Sequence, residues 1–174
     1  YDALFWARPA QLINDLDNLA TVEVFVGERR TGKTWAARHL FVELVRTGRA
    51  RLPRIVSATD AAIVEVVLDG ESGIKTWLPP PREGKYQWFK SDGYAGTLHL
   101  YGTKIVCCSA AAPGQAIGMS RDVTWADDPA GWVESCGVDI ATEAWTQVLK
   151  SNSQGQSTVI VATTAAGAAF LADL

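Results

Sequence analysis

The sequence predicts an α/β fold in which helices flank a mostly parallel central sheet. Apolar runs rich in β-branched residues alternate with segments of helical spacing, and the connections between the runs are long enough for crossovers. A glycine-bounded loop, 27–34, stands between the first run and the first helical segment. The chain has 174 residues, 48% of them apolar, so we interpret residues 1–174 as a single domain.

Local patterns place the elements of the first half. A buried strand is predicted at 22–26 and a helix at 34–47, whose apolar residues recur every three or four positions until Gly48 stops it. A second strand is predicted at 54–59, followed by a helix with Asp60 as its N-cap.

The second half of the chain adds a hairpin and two further strands. The hairpin covers 97–110, a strand at 122–128 is ended by a proline, and the last strand covers 157–164. The residue before a proline favours extended backbone, so we expect Asp128 to be extended.

The charge of the chain limits its partners. A net charge of −3 argues against attraction of nucleic acid to the whole surface. Four arginines lie close together in the sequence, and we interpret them as a solvated helix end: Arg46, Arg49, Arg51 and Arg54. The alternative is a local basic patch.

The cysteines do not form a metal or disulfide pattern. Cys107 and Cys108 are neighbours in a predicted strand, so their side chains are expected on opposite faces of the sheet. Together with Cys136, we interpret them as core thiols in a reducing compartment. No apolar run approaches the length of a membrane span.

The loop at 27–34 has the spacing Gly-x-x-x-x-Gly-Lys-Thr, which is typical of phosphate-binding loops. Its glycines let backbone N–H groups turn toward an anion, and the following helix adds the positive end of its dipole. The Lys33 ammonium is expected to reach the β- and γ-phosphates of ATP, and the Thr34 hydroxyl to ligate Mg²⁺. Arg29 and Arg30 add positive charge, and the sequence leaves open which of them lies against phosphate. We predict that the whole loop contacts the nucleotide: Gly27, Glu28, Arg29, Arg30, Thr31, Gly32, Lys33 and Thr34.

An acidic pair follows a later strand, where ligands bind in α/β sheets. Asp127 is predicted to hold Mg²⁺, directly or through water, and Asp128 to orient and deprotonate an attacking water. The alternative is an acidic turn before a proline. Thr163 and Thr164 end the last strand, where their hydroxyls would sense the γ-phosphate or position the water. An acidic pair followed by a threonine-ended strand favours a P-loop NTPase of the additional-strand (RecA-like) type.

Taken together, the motifs resemble the large terminase subunits of tailed bacteriophages and gene transfer agents, in their ATPase half only. "FWARPAQL" is similar to the segment of that family that contacts adenine, with Gln11 as the reading residue. "GERRTGKT" is similar to the family's phosphate loop, where an arginine at the Arg29 position is usual. "VVLDGESGI", "WADDPAGW" and "VIVATT" resemble a stretch after the second strand, the acidic motif and the coupling motif. The resemblance implies catalytic roles for Lys33, Arg29 and Asp128.

The resemblance also implies a biological role. Members of the family use ATP to drive double-stranded viral DNA into an empty capsid, in the cytoplasm of the bacterial host. The implied partners are double-stranded DNA, the capsid portal protein, the small terminase subunit and further copies of the chain in a ring on the portal, with no membrane. A nuclease domain would follow Leu174 in this family.

Two positions depart from the family pattern. Asp128 stands where the family has glutamate, and Ile117 stands before Gly118, where the family has an arginine that acts on the neighbouring subunit's nucleotide. Arg121 is nearby and is predicted to substitute for that arginine finger. Both departures affect hydrolysis, which favours the alternative of a nucleotide-binding regulatory or structural module that hydrolyses ATP poorly or not at all. A small-molecule kinase that uses the same phosphate loop is a further alternative. The chain has no arginine-rich lid of the kind that nucleotide kinases carry.

Overall fold

The structure, a computed structural model, describes residues 21–28, 31–78, 86–117, 120–152 and 157–173. Three positions with predicted roles, Gln11, Arg29 and Arg30, lie outside these residues, and those roles stay predictions.

Seven strands form one sheet in the order β1-β7-β6-β2-β5-β4-β3. The strands are β1 (Val22–Val26), β2 (Arg54–Ser57), β3 (Tyr86–Phe89), β4 (Gly96–Leu100), β5 (Thr103–Ser109), β6 (Val123–Asp127) and β7 (Thr158–Thr163). The first five strands in the spatial order are parallel, and β4 and β3 extend the sheet as an antiparallel meander. The predicted mostly parallel α/β sheet is confirmed.

Helices cover both faces of this sheet. They are α1 (Lys33–Arg46), α2 (Asp60–Ala62), α3 (Ile74–Trp77), α4 (Pro129–Cys136), α5 (Val138–Ser151) and α6 (Ala165–Ala172), and a 3₁₀ turn covers Pro113–Ala116. No helix in the described part of the chain is both long and apolar enough to cross a membrane.

The position of β7 decides the class of the fold. It lies between β1, which leads into the glycine loop, and β6, which ends in the acidic pair. The register pairs Val26 with Thr163 and Asp127 with Ala162, so the three carboxyl ends meet at one edge of the sheet. This is the predicted P-loop NTPase fold of the additional-strand type.

The prediction that 22–26 is a buried strand is half right. The bounds of β1 are as predicted, but Val24 and Val26 are 45% and 53% exposed. The reason is that β1 is the edge strand of the described sheet, with β7 on one side only.

The helix α1 holds the glycine loop against the sheet. Its apolar face includes Ala37, Phe41 and Leu44, spaced as predicted, and the rings of Phe41 and Trp125 have centroids 5.8 Å apart. Gly48 ends the helix in left-handed backbone, with φ of 72°. The middle of α1 is therefore packed directly on β6.

The second helix differs from its prediction. Thr59, not Asp60, is its N-cap, because the Thr59 hydroxyl accepts the Ala62 N–H at 3.1 Å. After one α-helical turn the segment Ile63–Leu68 continues as a π-helix. Its β-branched side chains favour α-helix poorly, and π segments occur often at functional sites.

The two faces of the sheet carry separate apolar clusters. Cys107 belongs to one cluster and Cys108 to the other, as the strand alternation predicts. Both thiols are buried and free, whereas Cys136 is only half-buried at the end of α4, so it is not the predicted core thiol. The predicted hairpin is confirmed, with Tyr101 and Gly102 in left-handed backbone at its turn.

Candidate nucleotide-binding site

The loop between β1 and α1 folds back on itself. Thr31 donates its backbone N–H and its hydroxyl to the carbonyl oxygen of Glu28, at 3.3 and 2.8 Å. A Cβ on Gly27 would lie 2.5 Å from the Thr31 hydroxyl oxygen, so a larger residue there would displace the Thr31 side chain. Gly32 has φ of 84°, a left-handed conformation that glycine adopts readily.

The amino end of α1 has the features of an anion-binding helix terminus. No side chain in the described residues caps this end, and its first turn holds no acidic residue. The first N–H groups of a helix have no partner within it, and the helix dipole places positive charge there. Gly32, Lys33 and Thr34 line a cavity of about 250 Å³ at this end.

The opposite wall of this cavity comes from the loop after the π segment. Val66, Gly70, Glu71 and Ser72 line it. Glycine is required in this loop, because a Cβ on Gly70 would lie 2.5 Å from the Val66 carbonyl oxygen. Sequence reasoning gave this wall no role. The closely spaced glycines of "DGESG" were the available signal.

A buried arginine connects this wall to α1. Arg38 is 2% exposed, and its Nη1 donates hydrogen bonds to the Gly73 carbonyl oxygen at 3.0 Å and the Thr76 hydroxyl at 3.5 Å. Its guanidinium carbon lies 5.6 and 5.1 Å from the ring centroids of Trp35 and Trp77. Burial lowers the pKa of Arg38 to about 10, so it stays charged at neutral pH. Sequence reasoning missed this arginine, although Trp35 and Arg38 share a helix face.

Asp127 presents a buried carboxylate at the end of β6. It is 4% exposed, and its backbone carbonyl is fixed by the Trp132 indole N–H at 2.8 Å. Burial, and then the charge of Asp128, raise the pKa of Asp127 to about 7, while the nearby Lys33 charge lowers it.

The side chain of Asp127 suits a cation. Its Oδ1 has no hydrogen-bond partner among the described residues. A buried carboxylate oxygen is costly without a partner, and Mg²⁺ prefers such oxygens. No group of three or more His, Cys, Asp and Glu side chains forms in the described ranges, so phosphate and water would supply most ligands of a metal held by Asp127 and Thr34.

Asp128 does not have the extended backbone that the sequence predicted. Its φ and ψ are 48° and 67°, in the left-handed region. It is the N-cap of α4, and its N–H donates to the Ala162 carbonyl oxygen at 2.8 Å. The turn from β6 into α4 thus overrides the preference imposed by Pro129. A Cβ on Gly131 would lie 3.1 Å from Asp128 Oδ2, so that glycine leaves room for the carboxylate.

The two threonines at the end of β7 have different surroundings. The Thr163 side chain is fully buried, and its Oγ1 has no hydrogen-bond partner in the described part of the chain. The Thr164 hydroxyl caps α6 by accepting the Gly167 N–H at 3.4 Å. The Thr163 carbonyl oxygen accepts the Gly27 N–H at 3.2 Å. The two hydroxyls are therefore held differently, and their roles toward a nucleotide stay predictions.

The arginine-finger candidate lies far from this edge. Arg121 precedes β6, six residues before Asp127, which is about 20 Å along a strand. It is 8% exposed, and its backbone N–H donates to the Ser151 carbonyl oxygen at 2.9 Å. Its finger role stays a prediction, and its burial argues against contact with another subunit. Ile117, at the position of the family's arginine, is 55% exposed.

Among solved structures, the chain is similar to the ATPase domain of the large terminase of Thermus phage P74-26, in an arginine-to-alanine variant. The two have 17% sequence identity and a TM-score of 0.42, and the match covers 81% of this chain and 58% of that chain. The chain therefore spans less than two thirds of the length of this neighbour. No protein-family model matches the sequence, and no curated protein matches it significantly.

Proposed function

We propose that this domain binds ATP with Mg²⁺ and hydrolyses it. One observation carries the proposal: β7 joins the glycine loop to the acidic strand. Its end accepts the Gly27 N–H at Thr163 and the Asp128 N–H at Ala162, at 3.2 and 2.8 Å. A phosphate held by the loop and a water beside the acidic pair would then lie at the same edge of the sheet.

Each side chain has a distinct role in this proposal. Lys33 and the first N–H groups of α1 bind the phosphates, and Thr34 and Asp127 hold Mg²⁺, which would neutralise phosphate charge. The attacking water forms its bond to the γ-phosphorus as the bond from that phosphorus to the ADP oxygen breaks. Asp128 accepts the proton of this water. Thr163 positions the water or contacts the γ-phosphate.

The finer proposal is a DNA-packaging motor. It is supported by the order of motifs that resemble those of large terminases. In that case Gln11 reads adenine, and Arg29 or Arg30 lies against phosphate. Hydrolysis drives double-stranded DNA into a capsid, within a ring assembled on the portal protein together with the small terminase subunit. Arg121 is the weaker part of this proposal because it is buried.

Lys33→Ala tests the nucleotide site directly. The variant loses the mobile cation that reaches the terminal phosphates, so ATP affinity in the presence of Mg²⁺ should fall at least tenfold by calorimetric titration. Lys75→Ala is the control, since it removes one lysine charge outside the lining of the cavity. Equal ATP affinity in the parent and the Lys33 variant would contradict the phosphate-loop interpretation.

Steady-state phosphate release with and without linear double-stranded DNA tests the motor. A motor should turn over faster with DNA and at higher protein concentration, because assembly completes its sites. ATP turnover that depends neither on DNA nor on protein concentration would agree with ATP hydrolysis but contradict the packaging motor.

The second candidate is a nucleotide-binding regulatory or structural module. The short Asp128 side chain, held in left-handed backbone, favours it, as does an exposed Ile117 where the family has arginine. Such a module would bind ATP tightly but show no γ-phosphate cleavage in a single-turnover assay, with or without DNA. Cleavage that disappears in Asp128→Asn would exclude this candidate.

A further inference from the structure

A second and larger cavity lies at the amino-terminal end of the strands. Its volume is about 610 Å³, within the range of small-molecule sites. Arg51 borders it before β2, Lys104 near the start of β5, and Arg121 before β6. These three strands are parallel, so the cavity lies at the end of the sheet opposite Asp127 and the glycine loop.

The lining of this cavity is positively charged. Arg51, Lys104 and Arg121 contribute to it, and no acidic residue lines it among those that the structure describes. The adjacent carboxylate of Asp122 is already engaged, because it accepts the backbone N–H groups of Arg51 and Leu52 at 2.6 and 2.9 Å. Among the described residues, the lining itself therefore holds only cationic and neutral side chains, and Asp122 lies outside it.

A fully buried arginine adds charge beneath the cavity, which corrects the interpretation of this arginine as part of a solvated helix end. Arg54 is 0% exposed and lies opposite Val106, which also lines the cavity. Its Nη2 donates only to neutral oxygens, at 2.7 to 3.4 Å, of Thr124, Val148, Ser151 and Asn152. Its Nε and Nη1 have no hydrogen-bond partner in the described ranges.

Charge burial at this place has an energetic consequence. Burial lowers the pKa of Arg54 to about 10, and burial also lowers the pKa of Arg121. Arg54 remains cationic at neutral pH and donates only to neutral oxygens, and a buried cation without a counter-ion is costly. An anion bound in the cavity would reduce that cost for Arg54.

We propose that this cavity binds a phosphate-type oxyanion, either free phosphate or a phosphodiester of a nucleic-acid backbone. Arg51 and Lys104 are exposed at its mouth and reach the anion first. The Thr103 hydroxyl and the Tyr94 phenol, both in the lining, supply neutral hydrogen-bond donors. The site is separate from the nucleotide site and does not depend on ATP binding there.

Titration with inorganic phosphate, followed by the backbone amide resonances of Leu52, Thr103 and Lys104, tests the proposal. These signals separate the cavity from the glycine loop, whose amides are followed in the same spectra. We expect saturable shifts at low ionic strength, with the Kd for phosphate at these amides raised at least tenfold in Arg51→Ala/Lys104→Ala. Both residues are exposed, so the variant should fold as the parent does. Lys75→Ala, on an exposed lysine outside the cavity, should leave this Kd within twofold.

Duplex DNA binding, measured by fluorescence anisotropy over a range of salt, identifies the source of the oxyanion. A phosphodiester site predicts at least tenfold weaker DNA binding in the double variant, with the slope of log affinity against log salt smaller by about two. Unchanged DNA affinity, with phosphate binding lost, assigns the cavity to free phosphate. The proposal is overturned if the cavity amides do not shift saturably, or if the double variant binds phosphate as tightly as the parent.

Discussion

The Nη1 atom of Arg38 donates a hydrogen bond to the carbonyl oxygen of Gly73 at 3.0 Å, and this contact ties the helix of the glycine loop to the far wall of its cavity. The guanidinium carbon also lies 5.6 and 5.1 Å from the ring centroids of Trp35 and Trp77, whose rings meet edge to face. The second turn of α1 and the segment next to the cavity wall are therefore held together.

Arg38→Met should lower ATP turnover about tenfold and the free energy of unfolding by ~1–3 kcal/mol, because the Gly73 carbonyl loses a buried charged donor. Lysine should not restore the parent values, since it lacks the planar guanidinium that contacts both indole rings while donating to Gly73. Urea unfolding and steady-state phosphate release are the measurements. Arg46→Met, at an exposed arginine on the same helix, is the control. Parent turnover in a folded Arg38→Met protein would rule out the positioning role.

Gly167→Ala should distort the end of β7. A Cβ there would overlap the Thr163 hydroxyl and lie 3.0 Å from the Ala130 nitrogen and Cβ. Because the Thr163 side chain is fully buried and cannot move aside freely, we expect a loss of ~1–3 kcal/mol in unfolding free energy and slower ATP turnover. Gly114→Ala, where a Cβ meets nothing within 4 Å, is the matched control. If both variants behave alike, the close packing of α6 on Thr163 does not matter.

Metal-free protein should lose stability as pH rises from about 4 to about 7. The pKa of Asp127 is raised by burial from 3.8 to about 7, so in this window the folded protein keeps a proton that the unfolded chain has released. The unfolded state then binds fewer protons, and the free energy of unfolding falls with pH, by at most ~4 kcal/mol for this group. Above pH 7 its contribution is constant.

Urea unfolding at pH 5 and pH 8, without divalent metal, tests whether the free energy of unfolding falls as pH rises. Asp127→Asn cannot titrate, so its stability should change less between the two pH values than that of the parent. A parent and variant with the same pH dependence would contradict the raised pKa.

Asp128→Asn should abolish γ-phosphate cleavage while leaving ATP affinity within a few-fold, because the amide cannot accept the proton of the attacking water. Asp128→Glu should raise the single-turnover rate, since its carboxylate reaches about 1.5 Å farther toward the phosphate. The same change should cost ~0.5–1 kcal/mol in stability, since aspartate tolerates left-handed backbone better than glutamate. Cleavage by the Asn variant at the parent rate would show that another group acts as the base.

The sequence was sufficient for the class of the fold because that class depends on patterns local in the chain. The glycine spacing at 27–34, the apolar run before Asp127 and the threonines after the last run each identify one strand end. The order of these three strands follows once each has been identified. In an additional-strand fold, the strand that ends in threonines lies between the strand before the glycine loop and the strand before the acidic pair. The bounds of β1 and the hairpin turn came from the same local signals.

The features that sequence reasoning missed depend on contacts between distant segments. Nothing near Arg38 indicates that Trp77 and Gly73, more than 30 residues later, enclose it. The edge position of β1 is likewise a property of the sheet and not of its own residues. The backbone of Asp128 was predicted from its neighbour Pro129 alone, and the turn that joins β6 to α4 decided it instead.

The left-handed backbone of Asp128 lowers the stability of the fold at the position where the proposed reaction needs a carboxylate. A residue other than glycine pays roughly 1 kcal/mol or more in that conformation, so Asp128→Gly should melt at a higher temperature than the parent although it cannot hydrolyse ATP. Drift under selection for folding alone would therefore replace this aspartate early. An aspartate at this position in a related sequence would then indicate that hydrolysis is still under selection in that lineage. A glycine at this position would indicate a lineage that has kept the fold and lost the hydrolysis reaction.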